Sequence, residues 1–283
     1  MRLHTIDAGK FKLDGGAMFG VVPRILWEKL NPPDDNNLCT WALRCLFIEK
    51  GDRRILIDTG IGDKQDERFM SHFHPHGAQT LAGSLERLGV SVGDITDVFL
   101  THLHFDHCGG ALRRGPDDSI VPAFPNATYW SNRSHYDWAF DPNPREKASF
   151  LKENFVPLQE HGVLKYVEEI PDVNWLADID IFFAYGHTEA MMLPRIRLAD
   201  RTVVFCADLL PSSMHVRMPY VMSYDVRPLQ TLKEKQAFFD EAIDGNYILF
   251  LEHDPVTECI RIGRDERGRV AVSERGTLAE MLA

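Results

Sequence analysis

The 283-residue sequence predicts an α/β fold in a single domain, and three observations carry that reading. Short β-prone runs alternate with stretches at helical spacing from one end to the other. Several of those runs end alike, with a His or an Asp at the mouth of the strand. No repeat, low-complexity tract or linker interrupts the pattern, so residues 1–283 read as one domain.

In chain order, residues 3–6 start a strand and Gly15-Gly16 marks a turn. Residues 17–30 form an apolar segment broken by Gly20 and Pro23. It suits either buried packing or a loop that lays Met18, Phe19 and Trp27 over a pocket. Residues 41–49 and 53–58 read as a hairpin turning at Lys50-Gly51-Asp52. His72, His74 and His76 alternate, which places them on one side of an extended segment, as surface decoration or an adventitious metal site. Leu81, Leu85 and Leu88 form a core-facing helical stripe. Residues 128–130, 163–170 and 179–185 read as strands, and 135–140 and 148–155 as short aromatic-rich helices. A hairpin over 195–198 and 202–207 follows. Residues 211–227 have no clear period, and loops of that length are more often functional than filler. Thr231-Leu232-Lys233-Glu234 is a capping box opening a helix with Leu232, Phe239 and Ile243 inward. Residues 247–251 are a buried strand, and strands at 259–263 and 269–272 precede a closing short helix.

Hydrophobic residues at 44% and charged residues at 26% suit a globular enzyme with a substantial core. A formal charge of -11 disfavours a nucleic-acid backbone or an anionic membrane as partner. The cysteines, Cys39, Cys45, Cys108, Cys206 and Cys259, are odd in number, scattered and without a C-x-x-C pair. A disulfide framework is disfavoured and a reducing compartment fits. The first residues lack an apolar signal region, and no run approaches the ~18 apolar residues of a membrane span. An unprocessed cytoplasmic chain is expected.

Chemistry concentrates in residues 101–110, Thr-His-Leu-His-Phe-Asp-His-Cys-Gly-Gly. Here His102, His104, Asp106 and His107 fall within six positions, just past the apolar run at 98–100. Imidazole and carboxylate are ligands that Zn, Mn and Fe(II) share. Later strand ends deliver His187, Asp208 and His253. One catalytic zinc takes three protein ligands and a water, so seven candidates exceed one ion; two ions ~3.5–4 Å apart would use them all. Asp58, at another strand end, is either a turn residue or an acceptor that holds a ligand loop in place. Cys108 and Cys206 read as core thiols. His215 and Tyr224, in the long loop, are either packing residues or donors facing a substrate.

The run His102-Leu103-His104-Phe105-Asp106-His107, followed by Gly186-His187-Thr188, Ala207-Asp208 and Glu252-His253, resembles the metal signature of the metallo-β-lactamase superfamily. Asp58-Thr59-Gly60 is similar to that family's early Asp motif, and the resemblance spans residues 40–255. It implies a four-layer αββα sandwich with its site at the strand ends along one edge. It assigns His102, His104 and His187 to a first ion, Asp106, His107 and His253 to a second, and Asp208 to both. Asp106 and Asp208 are the implied catalytic carboxylates. The implied cofactor is two Zn2+, with Mn2+ or Fe2+ also suited to the ligands. The implied activity is that of a metal-dependent hydrolase, similar to lactonase and glyoxalase-II-like members. A hydroxide bridging two zinc ions would cleave a small ester, lactone or related acyl substrate. Two alternatives share the ligands: a phosphodiesterase or nuclease, and a mononuclear Fe(II) persulfide dioxygenase. Asp208 departs from members that place Cys there, and His104 from the flavodiiron branch. Pro211 stands where the family's quorum-signal lactonases have a Tyr. The expected partner is a small-molecule substrate, and a homo-oligomer is left open.

Overall fold

The computed structural model describes residues 1–283. Two compact units account for the chain: Met1–Gly9 with Leu43–Ile170, and Lys10–Ala42 with Pro171–Ala283.

A six-stranded sheet lies mostly in the first unit, and its first two strands include residues assigned to the second. Its strands are β1 (Arg2–Asp14), β2 (Leu38–Lys50), β3 (Arg53–Ile57), β4 (Asp97–Phe99), β7 (Thr128–Asn132) and β8 (Leu164–Val167), in the order β1-β2-β3-β4-β7-β8. A separate ribbon pairs β5 (Leu112–Arg114) with β6 (Ile120–Pro122). The β2–β3 hairpin forms where expected. Lys50 faces Arg53, leaving Gly51 and Asp52 as a two-residue turn, and Gly51 takes the left-handed φ of 59° that so tight a turn needs. From β3 to β8 the strands run parallel, which buries both faces and explains why the run after Asp97 in β4, Val98 to Leu100, is apolar. Phe47, Leu56, Val98, Leu100, Tyr129 and Phe155 belong to its core.

Two local expectations fail in this unit. His72 lies in a helix, Glu67–Phe73, whose first turn is capped by Asp66 accepting from Phe69 N at 2.7 Å. The alternation of His72, His74 and His76 is therefore not an extended face, and all three are exposed. Residues 148–155 contain only a 3-10 turn, Lys152–Asn154. The carbonyl of Ser149 accepts from Phe105 N at 3.0 Å, so this backbone supports the metal loop instead of a helix. In the helix Leu81–Arg87, Leu85 is fully buried while Leu88, at its end, is 41% exposed.

The second unit carries a seven-stranded sheet. Its strands are β9 (Val173–Leu176), β10 (Ile179–Ala184), β11 (Met191–Arg197), β12 (Thr202–Phe205), β13 (Ile248–Phe250), β14 (Cys259–Arg264) and β15 (Val270–Gly276), ordered β15 through β9. Neighbours are antiparallel except β12 and β13. That parallel pair opens two strands in the same direction, so Asp208 and His253 emerge at the same end. The crossover is the helix Pro228–Asp244.

This helix begins three residues before the expected capping box, because Pro228 presets the φ of its first turn. Thr231 is thus inside the helix. Glu234 accepts from the backbone N–H groups of Tyr185 and Gly186 at 2.9 and 3.0 Å, where a capping box would have needed it on Thr231. Phe239 faces inward with Lys235, Phe238 and Ala242, while Leu232 and Ile243 are only half-buried. Gly15-Gly16 opens a helix, Gly15–Phe19, capped by Asp14. No helix is long and apolar enough to cross a membrane.

Candidate metal centre

In the first unit, β4 ends at Phe99 and the chain turns through residues 101–110. Nε2 of His102 and Nδ1 of His104 lie 3.1 Å apart, too close for anything but a shared proton or a shared cation. His107 Nε2 and Asp106 Oδ2 converge at 3.9 Å. Asp58 fixes the loop from behind. Its Oδ1 accepts from Thr101 N at 2.8 Å, its Oδ2 from Thr101 Oγ1 at 2.6 Å, and His107 Nδ1 lies 3.1 Å from that same oxygen. Both readings of Asp58 hold: it is the acceptor that fixes the loop, and its left-handed φ of 58° also puts it in a turn. The two glycines after the ligands serve close approach. A Cβ on Gly109 would fall 2.1 Å from the carbonyl oxygen of Ile61, and one on Gly110 2.3 Å from that of Thr59. Strand β3 and the ligand loop therefore meet backbone to backbone, and Thr59 N donates to the His107 carbonyl at 2.8 Å.

In the second unit two of the three remaining candidates, His187 and His253, gather around the carboxylate of the third, Asp208. Asp208 presents Oδ2 to His187 Nε2 at 3.0 Å and Oδ1 to His253 Nε2 at 3.3 Å. Each imidazole is held by its other nitrogen: His187 Nδ1 by Asp225 Oδ1 at 2.8 Å, and His253 Nδ1 by the Ala42 carbonyl at 2.8 Å. Burial works against a charged ring at His187, but Asp208 and Asp225 outweigh it and lift its pKa to about 10. Ala207, directly before Asp208, is held at a φ of 41°, a strained conformation for a residue with a Cβ.

The ligand chemistry fits divalent ions in both units. All seven side chains are buried, and buried imidazole and carboxylate at this density are stabilised by a shared cation. Each of His107, His187 and His253 has a carboxylate or carbonyl on Nδ1, the outer partner that metal-binding histidines carry.

Comparison with known proteins names the architecture. The model of the metallo-beta-lactamase superfamily matches residues 44–243. The chain belongs to that superfamily. A probable metallo-hydrolase of Mycobacterium tuberculosis is 26% identical over 259 residues, covering 79% of this chain and 78% of that protein. Among solved structures, a probable metal-dependent hydrolase from Staphylococcus aureus superposes with a TM-score of 0.87 at 24% identity, over 97% of this chain and 95% of that one. AidC, a dizinc quorum-quenching lactonase in complex with a product, superposes with a TM-score of 0.78 at 19% identity, over 98% and 95%. The α/β class and the metallo-β-lactamase fold expected from the signature are thus both found.

Three residues that support the family's ligand signature escaped the sequence reading. His135 is buried, and its Nε2 accepts from Leu103 N, between two ligands, at 2.8 Å. Glu146 is buried with Oε1 3.5 Å from His104 Nε2, its other oxygen accepting from Trp138 Nε1 and Asn143 Nδ2. Asp225 is the third. Cys108 and Cys206 are core thiols: burial raises Cys108 to about 12 and Cys206 well above its ordinary value. Their sulfurs bond the Leu103 and Val204 carbonyls.

Of the pocket candidates, the second unit collects four in one interior stack. The Phe19 ring lies 5.1 Å from both Trp27 and His215, and the Met18 carbonyl accepts from His215 Nε2 at 2.9 Å. His215 is not a substrate-facing donor. Its Nδ1 accepts from Ser212 Oγ at 2.7 Å, so both ring nitrogens are occupied, and burial lowers its pKa to about 4. Tyr224 is half-buried. The exposed apolar residues of the 17–30 segment are Val21, Ile25, Leu26 and Leu30.

Proposed function

We propose that this chain is a dinuclear zinc hydrolase that cleaves a small ester, lactone or related acyl substrate. The observation that carries the reading is the single carboxylate of Asp208, which offers one oxygen to each of two histidines. A carboxylate placed so is suited to span two cations, whereas an imidazole nitrogen binds one. On this reading His102, His104 and His187 hold the first ion, Asp106, His107 and His253 the second, and Asp208 joins them. When bound, two such ions supply Lewis acidity and make hydroxide available at neutral pH.

The chain's own residues do the rest. Asp58, His135, Glu146 and Asp225 hold the ligand rings and the loop between them, so little reorganisation is left for the moment of reaction. Asp106 and Asp208 would supply negative charge to the bound cations. Segments 17–30 and 211–227 supply the apolar walls for an acyl group, with Met18, Phe19 and Trp27 as the packed layer beneath the surface and Tyr224 nearer to it. Membership of the metallo-β-lactamase superfamily supports hydrolysis, and the likeness to a dizinc lactonase favours lactones among the acyl substrates.

The test is a panel of esters, lactones and thioesters offered to protein stripped with a chelator and then supplied with two equivalents of Zn2+. Turnover of at least one member, absent in the stripped protein and restored by zinc, is expected. A zinc-loaded protein that cleaves no member of the panel contradicts the proposal.

A further inference from the structure

The long loop after Asp208 ends on a residue that makes no claim on attention in the sequence. Asp225 is 1% exposed, and its Oδ1 lies 2.8 Å from His187 Nδ1. The backbone around this contact is tied down on both sides. Val226 N donates to the His187 carbonyl at 3.1 Å and Arg227 N to the Gly186 carbonyl at 2.8 Å. The Arg227 guanidinium reaches the Tyr185 carbonyl at 2.7 Å, and Glu234 takes the N–H groups of Tyr185 and Gly186. A Cβ on Gly186 would fall 2.3 Å from Thr231 Oγ1 and 2.4 Å from Thr231 N, so the turn before His187 is pressed against the helix.

The other end of the loop is anchored beside the second histidine. His253 N donates to the Pro211 carbonyl at 3.0 Å, and Ser213 donates from N and Oγ to Asp254 at 2.9 and 2.6 Å. Between the ends, the buried ammonium of Lys235 donates to the carbonyls of His215 and Tyr220 at 2.8 and 2.9 Å. The loop is therefore a brace fastened at one end to His253 and at the other to His187.

We propose that Asp225 is a positioning residue: it fixes His187 in the Nδ1–H tautomer with Nε2 turned to the metal, and through it the 211–227 loop sets metal affinity. The inference rests on the dinuclear reading. An acceptor on Nδ1 raises the basicity of Nε2 and removes the alternative ring orientation, and such outer partners typically govern affinity by 10–100-fold. Asp225 touches neither substrate nor ion in this role. It acts through His187, and the loop that would face a substrate is the same chain that carries it.

Zinc affinities measured by chelator competition on the wild type, Asp225→Asn and Asp225→Ala, together with spectra of 15N-histidine-labelled zinc protein, test this. Asp225→Ala should weaken one of the two ions by about 10–100-fold and the other less. Asp225→Asn, which keeps an acceptor oxygen, should recover most of that loss. In the wild-type spectrum His187 should carry its proton on Nδ1, a readout that needs no variant to fold. Wild-type affinity for both ions in both variants, or a wild-type His187 protonated on Nε2, overturns the inference and leaves the dinuclear reading standing. A wild type that binds no zinc overturns both.

Discussion

Asp208 and Cys206 stand two positions apart and have opposite environments, which makes them a matched pair for mutation. Asp208 faces two imidazoles at 3.0 and 3.3 Å; Cys206 is a buried thiol bonded to the Val204 carbonyl. Asp208→Ala should lose metal at one or both positions and abolish hydrolysis, whereas Cys206→Ser should keep both. Equal losses, measured as zinc per chain and as turnover, would mean that the late ligand is the thiol. The candidate ligands were legible because each is a polar residue closing an apolar strand, a placement that packing alone does not explain. Their supports were not. His135 and Asp225 stand 32 and 38 residues from the groups they hold, and a solitary Asp in a loop or His in a helix reads as a turn or core residue until the fold brings it home. His215 misled in the other direction, since its loop position suggested a donor while Ser212 and the Met18 carbonyl already occupy its ring.

Elements were read most securely where pattern and turn chemistry agreed, as in the β2–β3 hairpin, and least where one side chain was recruited elsewhere. Glu234 left the capping box to hold the Tyr185-Gly186 backbone, and the helix start moved back to Pro228. The Gly109-Gly110 pair is required by the approach of the chain leaving β3. Gly110→Ala should therefore destabilise by about 1–3 kcal/mol, the range for overpacking a well-filled site. An unchanged denaturation midpoint would refute the close approach. Lys235 gives the helix a pH signature. Burial pulls it down from its ordinary 10.5 to about 8, so between those values the unfolded chain holds a proton that the folded chain has released. Stability from this group accordingly rises with pH through that window. Lys64, also lowered to about 8 by burial, adds in the same direction. Above 9 the buried thiols oppose it, because their raised values delay ionisation in the fold. Urea denaturation of Lys235→Met should then show a smaller stability gain from pH 7.5 to 9 than the wild type, and an equal gain would contradict the assignment.

At the scale of the molecule, the sequence separates the candidate ligands into a cluster of four and three distant singles, and the four fall in one compact unit and the three in the other. Cations bound at the candidate ligands would offset part of the net charge of -11 and the buried carboxylates. Each ion held at ~1,000 times its dissociation constant should add about 4 kcal/mol to stability. Chelation should accordingly lower the melting temperature by several degrees, and zinc should restore it; a melting curve indifferent to chelator would show that the ligands do not bind metal in the native state. What no pattern in the sequence could convey is the form of residues 17–30 and 211–227, because the two segments shape one another. Ser223 N donates to the Ala17 carbonyl, and a Cβ on Gly20 would fall 2.2 Å from the Val221 carbonyl oxygen. The central claim is two ions joined by Asp208, and metal content by mass spectrometry of the purified protein after equilibration with zinc tests it most directly. Two ions per chain in the wild type and fewer than two in Asp208→Ala are expected; one or none in the wild type, or two retained without Asp208, would contradict it.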